Sequence, residues 1–235
     1  MILHTLFDAL AWLTSFAVLF VLRRTWFPKN PVSQPLRGGY IAAVIFGAGL
    51  SAWIFGSLNL WLSGQPGFGR SVEGALFGAI VSVELYKHAS GIRERTGAIY
   101  ALPVALGIAV GRIGCLLSGM EDFTYGIPTG GAWGWDFGDG IPRHPVALYE
   151  SLAMAAFAFV YLIMMLRGTV YWRMNGFYLA VGFYGAERFV LEFWKPYGAV
   201  IAGLSIFQLL SLMMVGYALV MLQGSRSALQ PGGAG

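Results

Sequence analysis

The sequence predicts an all-α, polytopic membrane protein with seven transmembrane helices, its N-terminus outside and its C-terminus in the cytoplasm. Composition, apolar segments and the placement of basic residues lead to this prediction. Of the 235 residues, 57% are hydrophobic and 11% are charged, whereas soluble domains carry about 25% charged residues. The net charge of +4 is small, so binding to nucleic acid is not expected.

Seven segments are long and apolar enough to cross a bilayer, which takes about 20 mostly apolar residues. They cover residues 3–22, 39–62, 72–89, 98–119, 145–166, 176–194 and 199–222. The third is the least apolar, because Glu73, Glu84 and Lys87 lie within it. We therefore expect a single membrane domain over residues 1–224. The small, polar tail of residues 225–235 is predicted to be disordered.

Basic residues in the short connections predict the orientation, since cytoplasmic loops carry an excess of Lys and Arg. The first, third and fifth connections each carry at least two basic residues, and the other three carry one each. The odd connections are therefore predicted to be cytoplasmic. Arg23 and Arg24 follow the first apolar run, the reverse of a cleavable signal peptide, so this run is expected to be a retained helix. The single cysteine, Cys115, excludes an intramolecular disulfide.

Charged residues within the apolar segments predict a polar cavity near the outer side. Arg112 and Arg188 lie at matched depths of roughly 10 Å from the outer ends of two segments, at 1.5 Å per residue. Tyr184 and Glu192 lie one turn to either side of Arg188 on the same face. An arginine at a helix centre costs about 2.5–3.5 kcal/mol to insert, so it usually faces a cavity or a partner. The structural alternative is that Arg188 and Glu192 pair only to lock helices together.

Further polar groups open the neighbouring segments on the predicted outer side. Glu73 begins the third segment, and His144, Tyr149 and Glu150 begin the fifth. Arginines with a histidine and carboxylates favour a phosphate site, and a phosphate in the outer leaflet implies a phospholipid head group. Glu73 is interpreted either as a base or as an anion that caps its helix. The histidines and the cysteine lack metal-ligand spacing, so neither a metal nor a cofactor is expected.

Four segments carry motifs that are recognisable together and in order. They read GRIGCLLSG at 111–119, PRHPVALYE at 142–150, YGAERFVLEFWKP at 184–196 and GLSIFQLLSL at 203–212. They resemble the GRxGNFxNxE, PRHPSQLYE, RFxxEFxRxP and GLSxxQxLSL motifs of the prolipoprotein diacylglyceryl transferase family, which are enzymes of the bacterial inner membrane. The resemblance implies attack by a lipobox cysteine thiol on the glyceryl carbon that bears the phosphate of phosphatidylglycerol, with loss of glycerol phosphate. The family arrangement also has seven spans and an external N-terminus.

The positions of the polar residues and the resemblance together predict two groups of site residues. The catalytic candidates are Glu73, Arg112, Arg188 and His144. The candidates for substrate binding are Arg143, Tyr149, Glu150, Tyr184, Glu192, Cys115 and Ser118. The chain departs from the family pattern where the family has two asparagines, a glutamate, a histidine, a serine and a glutamine. Those positions hold Cys115, Ser118, Met120, Glu73, Val146 and Ala147.

These departures leave the acceptor open. The first interpretation is a diacylglyceryl transferase of the inner membrane, with a phospholipid such as phosphatidylglycerol as donor and prolipoprotein signal peptides as acceptors. A second is a divergent relative that transfers the group to a non-lipoprotein acceptor. A third is a phospholipid-binding or transport protein without catalysis. In each interpretation the site faces the outer leaflet, and the partners are lipids and the membrane rather than nucleic acid.

Overall fold

The computed structural model describes residues 2–229, which form seven long α-helices and two small hairpins. The helices are α1 (Ile2–Thr25), α2 (Arg37–Leu62), α3 (Val72–Ala89), α4 (Ala101–Leu117), α5 (Val146–Leu166), α6 (Val170–Leu191) and α7 (Ile206–Leu229). The antiparallel hairpins pair β1 (Trp135–Asp136) with β2 (Pro142–Arg143) and β3 (Ala199–Ile201) with β4 (Leu204–Ser205). The chain is mostly helical, as predicted.

Within the described residues, five helical stretches are long and apolar enough to cross a membrane. They are Leu3–Thr25, Gln34–Leu62, Ala98–Leu117, Val146–Leu166 and Ile206–Gly224. They correspond to five of the seven predicted spans. The remaining long helices, α3 and α6, carry internal charges such as Glu73 and Arg188. Both of these side chains are buried within the protein.

Helix α4 lies at the centre of the helical bundle. Its most apolar stretch is 56% buried inside the protein, against 44% for α5 and 6% for each of α1 and α2. Large apolar side chains of α1 and α2, such as Trp12 and Phe46, are exposed. The outer helices therefore present apolar surface of the kind that lipid covers, while α4, α5 and α6 enclose the interior.

Small residues allow the helices to approach one another closely. A methyl group added at Gly107 or Gly114 of α4 would collide with Ser15 or Phe7 of α1. A methyl group added at Gly78 of α3 would likewise collide with the backbone carbonyl of Gly47 and the side chain of Ser51 in α2. Such close contacts are typical of helix pairs in membranes, where van der Waals packing drives association.

Several predicted segment boundaries differ from the helix ends: the sixth segment was predicted at 176–194 and α6 is Val170–Leu191, and the largest differences are at α7. The seventh segment was expected to begin at residue 199, but α7 begins at Ile206, because residues 199–205 form the β3–β4 hairpin. The hairpin turns at Ala202 and Gly203, both of which have positive φ angles. At its other end α7 extends to Leu229. The predicted tail of residues 225–235 thus overlaps α7 in part, and residues 230–235 lie outside the described chain.

Candidate functional site

Arg188 of α6 binds three buried carboxylates that come from different parts of the chain. Its Nε donates to Glu73 Oε2 at 3.1 Å, its Nη1 to Glu150 Oε2 at 3.2 Å and its Nη2 to Glu192 Oε2 at 2.8 Å. The arginine side chain is 2% exposed. The predicted pair of Arg188 and Glu192 therefore exists, and it is one part of a larger network.

Glu150 of α5 joins the two arginines that the sequence placed at matched depth. Its Oε1 accepts a 2.6 Å bond from Arg112 Nε, while its Oε2 accepts from Arg188. The hydroxyl of Tyr184 donates to Glu150 Oε1 at 3.3 Å. Arg112 and Arg188 thus converge on one buried carboxylate; the cavity open to the outer leaflet that the sequence predicted at this point stays a prediction.

Polar residues at the start of α7 hold the carboxylates from the other side. Ser211 Oγ donates to Glu73 Oε1 at 2.6 Å, and Ser205 Oγ donates to Glu192 Oε1 at 3.1 Å. The side chain of Gln208 accepts a bond from the Ser205 N–H at 2.9 Å. Ser205, at the end of β4, and Gln208 and Ser211 of α7 were not predicted as site residues. Their spacing of three residues, which places them on one helical face, was the available signal.

Glu73 has partners on both carboxylate oxygens, Arg188 on one and Ser211 on the other. The helix cap is instead Ser71, whose hydroxyl accepts the N–H of Gly74 at 3.1 Å. Glu73 lies in the first turn of α3, where the helix dipole favours an anion, and its ion pair also ties α3 to α6 and α7. The glutamate is fully buried.

Glu187 has a buried carboxylate and was not predicted as a site residue. Within the described residues neither of its oxygens has a hydrogen-bond partner, although both are buried. The charged groups that act on it are Glu150, Arg188, Arg112 and Lys195. Its position directly before Arg188, within an apolar segment, was the signal that could have identified it. Its oxygens remain able to accept hydrogen bonds.

His144 and Tyr149 form an aromatic layer with Trp194 rather than joining the buried network. The His144 ring stacks on Trp194 at a centroid distance of 5.5 Å. The Tyr149 hydroxyl lies 3.5 Å from His144 Nδ1, and the Tyr149 ring meets Trp194 edge to face. Both His144 and Tyr149 are partly exposed.

Arg143 lies in strand β2 and pairs with Asp139 rather than with the buried network. Its Nε and Nη2 donate to Asp139 Oδ2 at 2.9 and 2.6 Å. These bonds, together with the N–H of Ile141, lower the pKa of the Asp139 carboxyl. The guanidinium also lies over the ring of Tyr125, at 5.2 Å from its centroid. Arg143 therefore fixes the loop between α4 and α5.

Cys115 lies between a guanidinium and an imidazole. Its Sγ is 3.7 Å from Arg112 Nη1 and 3.9 Å from His4 Nε2. The other nitrogen of that ring, His4 Nδ1, lies 3.1 Å from Asp8 Oδ2. Ser118 is occupied differently, because its hydroxyl donates to the backbone carbonyl of Gly114 at 2.7 Å.

Three of the departures from the family motifs meet in one apolar cluster. Cys115, Ala147 and the partly buried Met120 pack together with Leu116 and Phe137. At these three positions the family motifs have polar residues, and the residues that replace them in this chain pack against one another. Within the part of the chain that the structure describes, no group of three His, Cys, Asp or Glu side chains is arranged to hold a metal ion.

The fold and this site define a helical membrane protein with a buried network of arginines and glutamates. The family model of the prolipoprotein diacylglyceryl transferases matches residues 36–223, and the chain belongs to that family. The matched region contains the whole network of Glu73, Arg112, Glu150, Arg188 and Glu192. His4 and Asp8 lie outside it.

Curated relatives carry the corresponding enzyme name. The chain is 30% identical to the phosphatidylglycerol–prolipoprotein diacylglyceryl transferase of Bordetella parapertussis, over 88% of this chain and 85% of the relative. It is 32% identical to that of Geobacter sulfurreducens, over 73% and 69% of the two chains. It is 27% identical to that of Cupriavidus metallidurans, over 94% of both chains.

Proposed function

We propose that this protein transfers a diacylglyceryl group from phosphatidylglycerol to a thiol, forms a thioether and releases glycerol phosphate. The observation that carries the proposal is the convergence of Arg112 and Arg188 on Glu150, within segments that match the family. The names of the relatives supply the donor and the acceptor class.

The two arginines have the chemistry that this reaction needs. Each guanidinium carries five N–H donors, and both Arg112 and Arg188 retain donors beyond the contacts described above. A phosphate bound by these donors gains charge-assisted hydrogen bonds. The same donors stabilise the negative charge that develops on glycerol phosphate as it leaves. The carboxylates of Glu73, Glu150 and Glu192 hold the guanidinium groups in place before the substrate arrives.

The proposed setting is the bacterial inner membrane, crossed seven times, with the N-terminus outside and the site near the outer leaflet. The uneven distribution of basic residues between odd and even connections supports this orientation. Burial supports counting α3 and α6 as spans, because the charges of Glu73 and Arg188 are turned into the protein rather than towards lipid.

The proposed acceptor is the lipobox cysteine of a prolipoprotein signal peptide. The apolar cluster that contains Cys115, Met120 and Ala147 bears on this step, since it replaces polar groups of the family motifs beside Arg112. The two alternative interpretations remain distinct from the proposal. In one, the acceptor is a thiol or another nucleophile that does not belong to a lipoprotein. In the other, the protein binds phospholipid without turnover.

The test uses purified full-length protein in vesicles that contain phosphatidylglycerol, incubated with a synthetic lipobox peptide. We expect release of glycerol phosphate and a peptide that is heavier by one diacylglyceryl group, both measured by mass spectrometry. Arg112→Gln and Arg188→Gln should abolish both products. Arg173→Gln is the matched control, because Arg173 lies on the same helix as Arg188 but is exposed.

Three outcomes separate the interpretations. Modified peptide supports the proposal. Phosphatidylglycerol that copurifies and is retained without being consumed, with any acceptor, supports a binding protein. Consumption only when a non-lipoprotein acceptor is added supports the divergent transferase. Restoration of growth in a strain that lacks its own diacylglyceryl transferase would support the proposal independently.

A further inference from the structure

Glu187 lies on α6 at the edge between the buried network and the outward-facing surface of the bundle. Tyr184 and Arg188, which share its helical face, are buried, whereas Ala186 and Val190 are exposed. Glu187 as a whole is partly exposed, yet both of its carboxylate oxygens are buried. The carboxylate end of the side chain is therefore turned into the protein, towards the network.

The packing of α5 on α6 places Glu187 opposite Glu150. A methyl group added at Gly176 of α6 would collide with the ring of Tyr161 of α5, so these two residues lie at the same level. Eleven residues separate Gly176 from Glu187, and eleven separate Glu150 from Tyr161. Eleven residues complete three helical turns and return to the same face. The two glutamates therefore face each other across the antiparallel helix pair, which agrees with the action of the Glu150 charge on Glu187.

Glu187 differs from the three carboxylates of the network, because its acceptors are not used by the described residues. Both oxygens of Glu73, of Glu150 and of Glu192 receive hydrogen bonds. A buried carboxylate without donors is unfavourable, and the charged groups near it include Arg188, which donates to the other three carboxylates. The open acceptors beside the proposed phosphate site point to a ligand that brings its own donors.

The head group of phosphatidylglycerol carries such donors. It is a glycerol unit joined to the phosphate, with hydroxyl groups on two neighbouring carbons, and each hydroxyl supplies one O–H donor. The phosphate itself is common to all phospholipids, so arginines that bind it do not distinguish one head group from another. A site that accepts hydrogen bonds from substrate hydroxyls does distinguish them, because an analogue without hydroxyls leaves buried polar groups unpaired.

We propose that Glu187 accepts hydrogen bonds from the hydroxyls of the glycerol head group and thereby selects the donor phospholipid. This inference rests on the proposed transferase function. Arg112 and Arg188 bind the phosphate, and Glu187 binds the part of the head group that leaves with it. The carboxylate makes no covalent bond in the reaction, and its contacts are released together with glycerol phosphate.

The experiment offers the full chain two lipids in equal amounts, phosphatidylglycerol and phosphatidylpropanol. Both have the same phosphate charge and a three-carbon head group, but the propanol head group has no hydroxyl. Mass spectrometry measures which lipid is retained on purification and which is consumed when a lipobox peptide is added. Wild type should prefer phosphatidylglycerol. Glu187→Leu should lower this preference about 10–100-fold, the range for a hydrogen bond to a charged group, and should retain phosphatidylpropanol as well as wild type does.

Glu187→Gln keeps one acceptor oxygen in nearly the same shape, so it should lose less of the preference and repeats the test if leucine disturbs the fold. The matched control is Ala186→Leu, which adds the same side chain at the neighbouring exposed position and should keep the wild-type preference. Thermal stability is measured in every variant.

Three results would overturn the inference. One is an unchanged preference in Glu187→Leu, and another is an equal loss of both lipids in a folded variant. The third is a wild type that retains phosphatidylethanolamine or phosphatidylpropanol as well as phosphatidylglycerol. If wild type modifies no peptide, the proposed function fails instead, and the retained lipids still decide whether Glu187 selects the head group.

Discussion

Glu150 Oε1 lies 2.6 Å from Arg112 Nε, and neither side chain is open to solvent. The second oxygen of Glu150 binds Arg188. One carboxylate therefore holds both of the cations that are proposed to bind phosphate, and neutralises part of the repulsion between them.

Replacement of Glu150 should destabilise the protein and disable the site. In Glu150→Gln the carboxylate charge is lost, and two buried guanidinium groups are left without their shared partner. Removal of one partner from a buried ion pair costs about 3–5 kcal/mol. We expect lower thermal stability in detergent and loss of bound phospholipid, measured by fluorescence-detected size exclusion and lipid mass spectrometry. Glu94→Gln, an exposed change in a loop, is the control, and equal stability of the two variants would contradict the bridging role.

The hydroxyl of Ser211 is predicted to stabilise the protein through its hydrogen bond to Glu73. Ser211→Ala removes the 2.6 Å bond to Glu73 Oε1 and leaves that oxygen buried without its donor. Loss of such a partner costs about 1–3 kcal/mol. The variant should therefore unfold at lower temperature, whereas Thr25→Ala, at an exposed site at the end of α1, should not. A Ser211→Ala protein as stable as wild type would show that the bond contributes nothing measurable.

Some contacts of the buried network could be predicted from the sequence, and others could not. Helical rise predicted a matched depth for Arg112 and Arg188, and the structure brings both side chains to Glu150. The contribution of Ser211 could not be obtained in this way. It depends on how α7 is rotated against α3, and side-chain packing rather than apolar length sets that rotation.

His4 and Arg143 are two further residues whose positions could not be predicted from local sequence. His4 contacts the site although it was not predicted to, and Arg143 was predicted as a site residue but does not join the buried network. His4 lies more than a hundred residues from Cys115 in sequence, and only the α1–α4 packing reveals their contact. Arg143 sits in a matching motif, yet in the structure it pairs with Asp139 in a hairpin. Sequence spacing predicts which residues share a helix face, but it does not predict which charged residues of a loop pair outside the buried network.

Acid should release the loop between α4 and α5. The bond from Arg143 lowers the pKa of Asp139, so the folded loop favours the carboxylate. The stabilisation is present above the unfolded value of about 3.9 and is lost as the pH falls through the lower folded pKa. We expect the fluorescence of Trp133 and Trp135 to change in that range. Asp139→Asn should show the acid-state signal already at neutral pH, and an unchanged spectrum there would count against the anchoring role.

Replacement of Glu187 should not lower the stability of the protein, whereas replacement of Glu150 should. Its carboxylate oxygens are buried, and among the described residues they accept no hydrogen bond. A buried polar group without a partner costs about 1–3 kcal/mol, so Glu187→Leu should leave the protein as stable as wild type or make it more stable. The measurement is thermal unfolding in the same detergent, with Glu150→Leu as the matched comparison on the neighbouring helix.

The two variants separate packing from charge, because both remove a buried glutamate near Arg188 and add the same side chain. Glu150→Leu breaks bonds to two arginines and should be strongly destabilised. Glu187→Leu breaks none that the described residues make. If it unfolds as early as Glu150→Leu, then Glu187 has a partner in the folded membrane protein. Such a result would place this carboxylate within the network rather than beside it.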